Sequence, residues 1–151
     1  MQQRLDYKKF APDIYEVMAH LQAVVNTCGL EPSLLELVKL RASQINGCAY
    51  CIDMHFKDAC AAGETTQRLY LLDAWHETSL YSEQERAALA WTEAVTLIHE
   101  DGAPDDVYEQ VRKHFSEKQL AYLTLAVVTI NSWNRLSISF RMPPTYQRPE
   151  K

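Results

Sequence analysis

The sequence predicts an all-α protein, a single-domain bundle of about six to seven helices. Apolar residues recur with a period near 3.6, and segments with the alternating period of a β-strand are almost absent. The four glycines and six prolines fall at the ends of the helical segments. Because 151 residues are enough to bury one hydrophobic core, we expect one domain over residues 1–151.

Capping signals set the expected helix boundaries. Proline is favoured in the first turn of a helix and glycine just after its last turn. Two capping boxes, Ser82 to Glu85 and Ser116 to Gln119, mark the starts of two long helices. The first helix carries an apolar stripe of Ile14, Val17, Met18, Leu21, Val24 and Val25. The predicted helices are 12–28, 32–46, 48–63, 66–77, 82–100, 105–115 and 116–140, followed by an irregular tail to residue 151.

Composition and charge argue against several classes of partner. The formal net charge of -5 and the pI near 5.5 give no support for binding to nucleic acid or to anionic membranes. The apolar run over residues 123–130 is far shorter than the roughly 20 residues of a membrane-spanning helix. The N-terminus lacks the apolar segment of a secretory signal. We therefore expect a cytoplasmic protein with no nucleic-acid partner and no membrane partner.

A pair of cysteines stands at the predicted start of the third helix. Cys48 follows Gly47 directly, and Cys51 follows three positions later. The free N–H groups and the positive dipole end of a helix N-terminus stabilise a thiolate, which is the nucleophilic form of the thiol. In a first helical turn, two sulfurs at this spacing are also close enough to form a disulfide. The position predicts redox chemistry at this dithiol.

Two further residues are positioned to move a thiol proton. His55 follows Cys51 by four residues on the same helical face, and an imidazole can accept a thiol proton near neutral pH. Glu36 lies on the preceding helix, roughly 15 Å from Gly47, and His55 lies about 12 Å down the next helix. If the two helices pack antiparallel, these depths allow a proton relay from Glu36 through His55 to Cys51.

The sequence allows other interpretations of the cysteine pair. A non-catalytic zinc-binding or redox-sensing module could use Cys48, Cys51 and His55, although zinc normally takes four ligands and a fourth has to be recruited. Simple packing of both cysteines in the core is a further alternative. A c-type haem needs histidine where Ile52 stands, and a thioredoxin site needs a βαβ context. The favoured interpretation includes no cofactor and no metal.

The remaining cysteines and one polar segment have simpler interpretations. Cys28 and Cys60 stand alone in helical, partly apolar segments, so we expect them to pack as small core residues. Asn131 and Arg135 belong to a polar break in the otherwise apolar last helix. They either line a subunit contact or the site entrance, or they form an ordinary cap or surface ion pair.

The segment from Glu36 to His55 resembles the core of a known family. A glutamate precedes the first cysteine by twelve positions, and a histidine follows the second cysteine by four. This pattern resembles the alkylhydroperoxidase D (AhpD-like) group within the carboxymuconolactone decarboxylase superfamily. Residues 90–94 and 130–135 are also similar to family features, so the resemblance covers about residues 32–144. It implies an all-α fold, a homo-oligomer and a thiol peroxidase.

The resemblance also implies a role for each site residue. Cys51 attacks the peroxide as the peroxidatic thiol, and Glu36 and His55 help to remove its proton. Cys48 then protonates the leaving oxygen and condenses with the sulfenic acid to form a disulfide. A dithiol reductant, which in the family can be a lipoyl-bearing protein, reduces that disulfide. Tyr50 stands where the well-studied peroxidases often carry histidine, and tyrosine is a poor base at pH 7.

The decarboxylase branch of the same superfamily is the enzymatic competitor. Its chemistry does not require a CxxC pair, so the intact pair of Cys48 and Cys51 favours the peroxidase branch. No obvious cluster of anion-binding basic residues surrounds the motif, although Lys39 and Arg41 are near in sequence. The sequence thus predicts a peroxidase or related disulfide reductase acting through Cys51 and Cys48.

Overall fold

The computed structural model of the protein describes residues 2–145, and the regular secondary structure in that range is helical. That range contains nine α-helices, one 3₁₀ helix and no strand, which confirms the all-α prediction. The predicted tail beyond residue 145 lies outside the described residues. The elements are α1 (Tyr7–Phe10), α2 (Pro12–Asn26), α3 (Pro32–Asn46), α4 (Ala49–Ala61), α5 (Thr66–Tyr70), a 3₁₀ helix (Leu72–Glu77), α6 (Glu83–Thr96), α7 (Ile98–Asp101), α8 (Asp105–Val111) and α9 (Glu117–Ser139).

The count of six to seven helices is too low because two predicted helices are divided and one short helix was missed. The predicted helix 66–77 becomes α5 and the 3₁₀ helix, in which Ala74 has non-helical backbone angles. The predicted helix 82–100 ends at Thr96 and resumes as α7 after Leu97. The four residues of α1 are too few to show a helical period, which is read over 11 to 18 residues.

Helix α3 is the central element of the fold. It packs against α4, α6 and α9, and its Leu37 and Val38 side chains have no exposed surface. One apolar cluster joins α3 to α6, α8 and α9, and a second joins α3 to α4, α5, the 3₁₀ helix and α6. Because α3 contributes to both clusters, a polar side chain on α3 is held in a fixed position relative to its neighbours.

Helix α2 is covered less completely than its apolar stripe suggests. Val25 is its only buried residue, whereas Val17 is 69% exposed and Ile14 is 39% exposed. The helix packs against α1 and α9. Its 3.6-residue period predicts the helix correctly but does not show which neighbours cover each side. Among the helices of residues 2–145, none combines the length and the apolar character that spanning a bilayer requires.

The connection between α3 and α4 is a tight turn with Gly47 at its centre. Gly47 has a φ of 68°, in the left-handed region, as the sequence predicts for a C-cap glycine. The Gly47 N–H donates to the carbonyl of Gln44 at 3.1 Å, and the Cys48 N–H donates to the carbonyl of Ser43 at 3.0 Å. These bonds end α3, and α4 begins two residues after Gly47. The cysteine pair is therefore located at the start of α4.

Candidate active site

The cysteine pair occupies the first turn of α4. Cys48 is the N-cap residue, its Cα atom is 5.4 Å from that of Cys51, and the two sulfurs are joined in a disulfide. The Cys48 Sγ also accepts the Cys51 backbone N–H at 3.4 Å. Sulfur therefore takes the capping position that a serine or aspartate oxygen usually holds. Both cysteines are buried.

Glu36 and His55 meet across the packed pair of α3 and α4. The Glu36 Oε2 atom and the His55 Nδ1 atom lie 3.0 Å apart. Lys39, one helical turn beyond Glu36, donates to the other carboxylate oxygen, Oε1. When Nδ1–H of a neutral imidazole donates to a carboxylate, the lone pair lies on Nε2. The Nε2 atom of His55 is thus the nitrogen that can accept a proton.

The negative charge of Glu36 is stabilised by these two donors. Burial raises the pKa of the Glu36 carboxyl group. The hydrogen bonds from His55 and Lys39, together with the positive charge of Lys39, lower that pKa by more than burial raises it. The pKa of Glu36 is therefore below its ordinary value. Lys39 is only 7% exposed, so its ammonium group depends on this carboxylate as a counter-ion. Glu36 is therefore an anion at neutral pH and can hold a protonated His55.

One cavity of about 550 Å³ gives access to these groups. Its lining includes Cys51, His55 and Glu36. Cys48 does not belong to that lining and is buried beside Ala42. A small molecule in the cavity therefore meets Cys51, while Cys48 lies behind it.

The other candidate residues fall in two places. Tyr50 lines the same cavity and packs against the cluster that contains both cysteines. Asn131 and Arg135 instead line a separate cavity of about 200 Å³, so the structure does not bring them to Cys51. The Arg135 Nη1 atom donates to the Asn131 Oδ1 atom at 2.8 Å.

Asn131 contributes to a polar network behind the active-site turn. Its Oδ1 atom accepts from the Asn46 side chain at 2.9 Å, and Asn46 also donates to Oδ1 of Asn134 at 2.9 Å. Asn134 donates to the Ser43 hydroxyl at 3.1 Å, and the Ser43 carbonyl accepts the Cys48 N–H at 3.0 Å. The network connects α9 to the turn that carries the cysteines, so these asparagines support the site without lining it.

A group of potential metal ligands also borders the cavity. Within the described part of the chain, Glu36, His55 and Asp58 each have a ligand atom within 4.8 Å of the others. This group differs from the cysteine-containing set that the sequence suggested for zinc. Both Glu36 oxygens are already engaged, one by Lys39 and one by His55. A divalent cation would have to displace an ammonium group, so this geometry suits proton transfer better than metal binding.

The remaining two cysteines lie at the edge of the apolar core and not inside it, where the sequence predicts them to pack as small core residues. Cys28 and Cys60 are free thiols and are half-buried. Each packs against one of the two large apolar clusters. Neither belongs to the lining of the cavity beside Cys51. They serve as internal controls for experiments on the reactive pair.

Comparison with known proteins identifies the family. Residues 12–94 match the model of the carboxymuconolactone decarboxylase family, a span that includes Glu36, both cysteines of the pair and His55. This chain belongs to that family. The uncharacterized protein YdfG of Bacillus subtilis (strain 168) is 45% identical over 139 residues, which cover 92% of this chain and 95% of YdfG.

One solved structure assigns the chain to the AhpD-like part of this carboxymuconolactone decarboxylase family. A protein of unknown function from Agrobacterium tumefaciens, suggested to be the antioxidant defence protein AhpD, is 42% identical, with a TM-score of 0.95 over 97% of this chain and 100% of that chain. An uncharacterized peroxidase-related protein from Ralstonia eutropha JMP134 has a TM-score of 0.80 at 17% identity, over 91% of this chain and 74% of that chain. At 17% identity, the similarity to the R. eutropha protein concerns the fold alone.

Sequence reasoning gave no site role to several residues that border the cavity, among them Lys39, Tyr7, Tyr15 and Trp133. Lys39 carried a usable signal, because a lysine three positions after a glutamate on a helix is placed to pair with it. Tyr7 and Tyr15 reach the cavity from α1 and α2. They carried no such signal, since both precede the motif by more than twenty residues and their packing is a tertiary property.

Replacing Glu36 by Gln should reduce stability in a pH-dependent way. Because the folded-state pKa of Glu36 is below its ordinary 4.5, the carboxylate contributes stability above that pH, and the contribution is lost as the pH falls through the folded-state pKa. We expect Glu36→Gln to lower the free energy of unfolding by about 1–3 kcal/mol at pH 7. Urea denaturation of both proteins at several pH values between 7 and 3.5 should show this difference shrinking at the acidic end.

Asp53→Asn is the matched control for that experiment. Asp53 pairs with Lys57 at 2.8 Å in an i,i+4 ion pair whose side chains are 31% and 46% exposed, and surface pairs of this kind contribute little to stability. This variant should stay within a few tenths of a kcal/mol of wild type, about the contribution of such a pair. A difference between wild type and Glu36→Gln that stays constant over the whole pH range would contradict a lowered pKa at Glu36.

Proposed function

We propose that this protein is a thiol-dependent hydroperoxidase that uses the Cys48–Cys51 dithiol with Glu36 and His55 as its proton relay. The observation that carries the proposal is the shared cavity lining of Cys51, His55 and Glu36, with a 3.0 Å contact between Glu36 and His55. A nucleophile, a base and a carboxylate that orients the base are the groups that activate a thiol. The suggested antioxidant role of the A. tumefaciens relative supports the same reaction class.

The first step oxidises Cys51. His55 accepts the Cys51 thiol proton on Nε2, while its Nδ1–H remains hydrogen-bonded to Glu36. The N-terminus of the 13-residue helix α4 stabilises the thiolate. The thiolate attacks the peroxide, so that an S–O bond forms and the O–O bond breaks. The leaving alkoxide takes the Cys48 thiol proton and departs as an alcohol, leaving a sulfenic acid on Cys51.

The second step forms the disulfide. The Cys48 thiolate attacks the Cys51 sulfenic acid, an S–S bond forms and the S–O bond breaks. The hydroxide that leaves takes the proton from His55 and becomes water. The protein has then converted one hydroperoxide to one alcohol and one water, and its two thiols have been oxidised to a disulfide. The position of Cys48 suits this second step, because the sulfur that it attacks is that of Cys51, the residue to which it is disulfide-bonded in the structure.

A dithiol donor completes the cycle. One donor thiolate attacks Cys51, the sulfur that borders the cavity, and Cys48 leaves as a thiolate. The second donor thiol then releases Cys51 by forming a disulfide within the donor. We propose a lipoyl-bearing protein as the donor class, and a cytoplasmic setting, because a dithiol donor stays reduced in a reducing compartment.

Oxidation by one equivalent of cumene hydroperoxide should consume two thiols of the fully reduced protein. The expected product is a protein lighter by two hydrogen atoms, with the new disulfide mapped to Cys48 and Cys51 by peptide mass spectrometry. In the Cys48→Ser variant the same treatment should stop at the sulfenic acid on Cys51, and Cys51→Ser should not consume peroxide.

The variant with Cys28→Ser and Cys60→Ser is the matched control, since it removes the two other thiols and keeps the reactive pair. It should be oxidised as wild type is. Unchanged thiol content in the reduced wild-type protein after this treatment would refute the peroxidase proposal. Stoichiometric zinc in protein purified without chelator would favour the metal-binding alternative instead.

We also propose that identical chains associate through the exposed stripe of α2. Ile14, Val17 and Val24 of α2 are 39%, 69% and 36% exposed, and their spacings of three and seven residues place them along one side of the helix. An apolar stripe of this kind is stabilised when a second copy of the chain covers it.

Light scattering should give a mass that is a multiple of the 17.4 kDa chain mass. Val17→Lys should lower that mass and the exposed control Tyr70→Lys should not, whereas a wild-type mass of one chain would refute the proposal.

A further inference from the structure

The cavity beside Cys51 is much larger than the reacting group needs. Its volume is about 550 Å³. Hydrogen peroxide has two oxygen atoms and fills about 60 Å³, twice the volume of a water molecule in the liquid. Cavities of about 300–1,000 Å³ usually hold organic ligands. The space beside Cys51 therefore fits a substrate whose body extends well beyond the peroxide group.

The walls of this space are rich in aromatic side chains from separate elements. Tyr7 of α1, Tyr15 of α2, Tyr50 of α4 and Trp133 of α9 all line it. The Tyr15 and Trp133 rings lie 5.9 Å apart between centroids at an interplanar angle of 58°. Aromatic rings prefer such tilted or offset arrangements. The ring of a ligand can therefore pack against this pair, either edge to face or in an offset stack.

Two of these aromatic residues link the cavity wall to the reactive sulfur. Tyr50 and Trp133 both pack against the buried cluster that contains Cys48 and Cys51. Trp133 also contacts Tyr15, so the aromatic surface continues from the sulfur towards α2. A ligand ring lying on this surface therefore occupies the same cavity that Cys51 lines.

Tyr7 and Tyr15 differ in how firmly they are held. Tyr7 is 3% exposed and packs on Phe140 with 5.6 Å between ring centroids. Tyr15 is 41% exposed, and the Lys8 ammonium lies 4.3 Å from the centre of its ring. Replacement of Tyr15 therefore disturbs the fold less than replacement of Tyr7, and Tyr15 is the better residue for testing ligand preference.

We propose that Trp133 and Tyr15 make this cavity selective for hydroperoxides that carry an aromatic ring next to the peroxide-bearing carbon. The selectivity rests on the proposed peroxidase reaction, in which Cys51 gains the terminal oxygen and the substrate leaves as the corresponding alcohol. The ring packs against Trp133 and Tyr15 and holds the peroxide group at Cys51. Hydrogen peroxide lacks this ring and gains nothing from the aromatic wall.

The kinetic test compares cumene hydroperoxide with hydrogen peroxide in the same enzyme. The ratio of their kcat/KM values should fall about tenfold in Tyr15→Leu, which is the loss expected for one aromatic contact of roughly 1.4 kcal/mol. Trp133→Leu should lower the ratio in the same direction. Tyr70→Leu is the matched control, because Tyr70 is 63% exposed on α5 and lies outside the cavity lining. That variant should keep the wild-type ratio.

A binding measurement separates this inference from the peroxidase proposal. Isothermal titration of the disulfide form with 2-phenyl-2-propanol and with tert-butanol needs no turnover. The phenyl alcohol should bind more tightly, and Tyr15→Leu should reduce the difference in affinity while Tyr70→Leu keeps it. Ring-selective binding without turnover of any hydroperoxide would refute the peroxidase and leave the aromatic site standing. Equal affinities for the two alcohols, with turnover intact, would refute the aromatic site alone.

Discussion

The arrangement of the site depends on the carboxylate of Glu36, which accepts hydrogen bonds from two different helices. One oxygen accepts from Lys39 of the same helix, and the other lies 3.0 Å from Nδ1 of His55 on α4. Without this carboxylate, a lysine that is only 7% exposed would lose its counter-ion, and the imidazole would lose the partner that orients it. The same bonds keep Glu36 ionised, since they offset the effect of burial on its pKa. One anion therefore connects α3 to α4 and favours the His55 tautomer that carries its proton on Nδ1.

The turn between these helices places both sulfurs where the fold itself favours negative charge. Gly47 ends α3 in a conformation that suits glycine, and Cys48 caps α4 through its sulfur. The asparagine network from α9 fixes the same turn through Ser43. Because Cys51 borders the cavity and Cys48 does not, the two thiols differ in their access to a molecule in the cavity. The division of labour in the proposed reaction follows from this difference in access.

Local features were predictable from the sequence, and tertiary ones were not. Helix α3 has the predicted limits because proline and glycine mark both ends, and the 1.5 Å rise per residue already placed Glu36 and His55 at similar depths. The exposure of α2 was not predictable, since a helical period does not show which neighbours cover it. Asn131 and Arg135 likewise carried a polar signal but no information on direction, and they face a different cavity. The aromatic cavity walls come from four helices and are visible only in three dimensions.

The central claim, that Glu36 and His55 activate Cys51, is tested most directly by thiol alkylation at pH 7. Fully reduced protein is treated with limiting iodoacetamide, and the modification of each cysteine is followed by peptide mass mapping. The account predicts that Cys51 reacts at least about tenfold faster than Cys28 and Cys60, as expected for a thiol activated at a helix N-terminus by a base. Glu36→Gln should remove most of this advantage, and Asp53→Asn should preserve it. A Cys51 that reacts no faster than the two isolated cysteines, or equally fast in Glu36→Gln, would contradict the account.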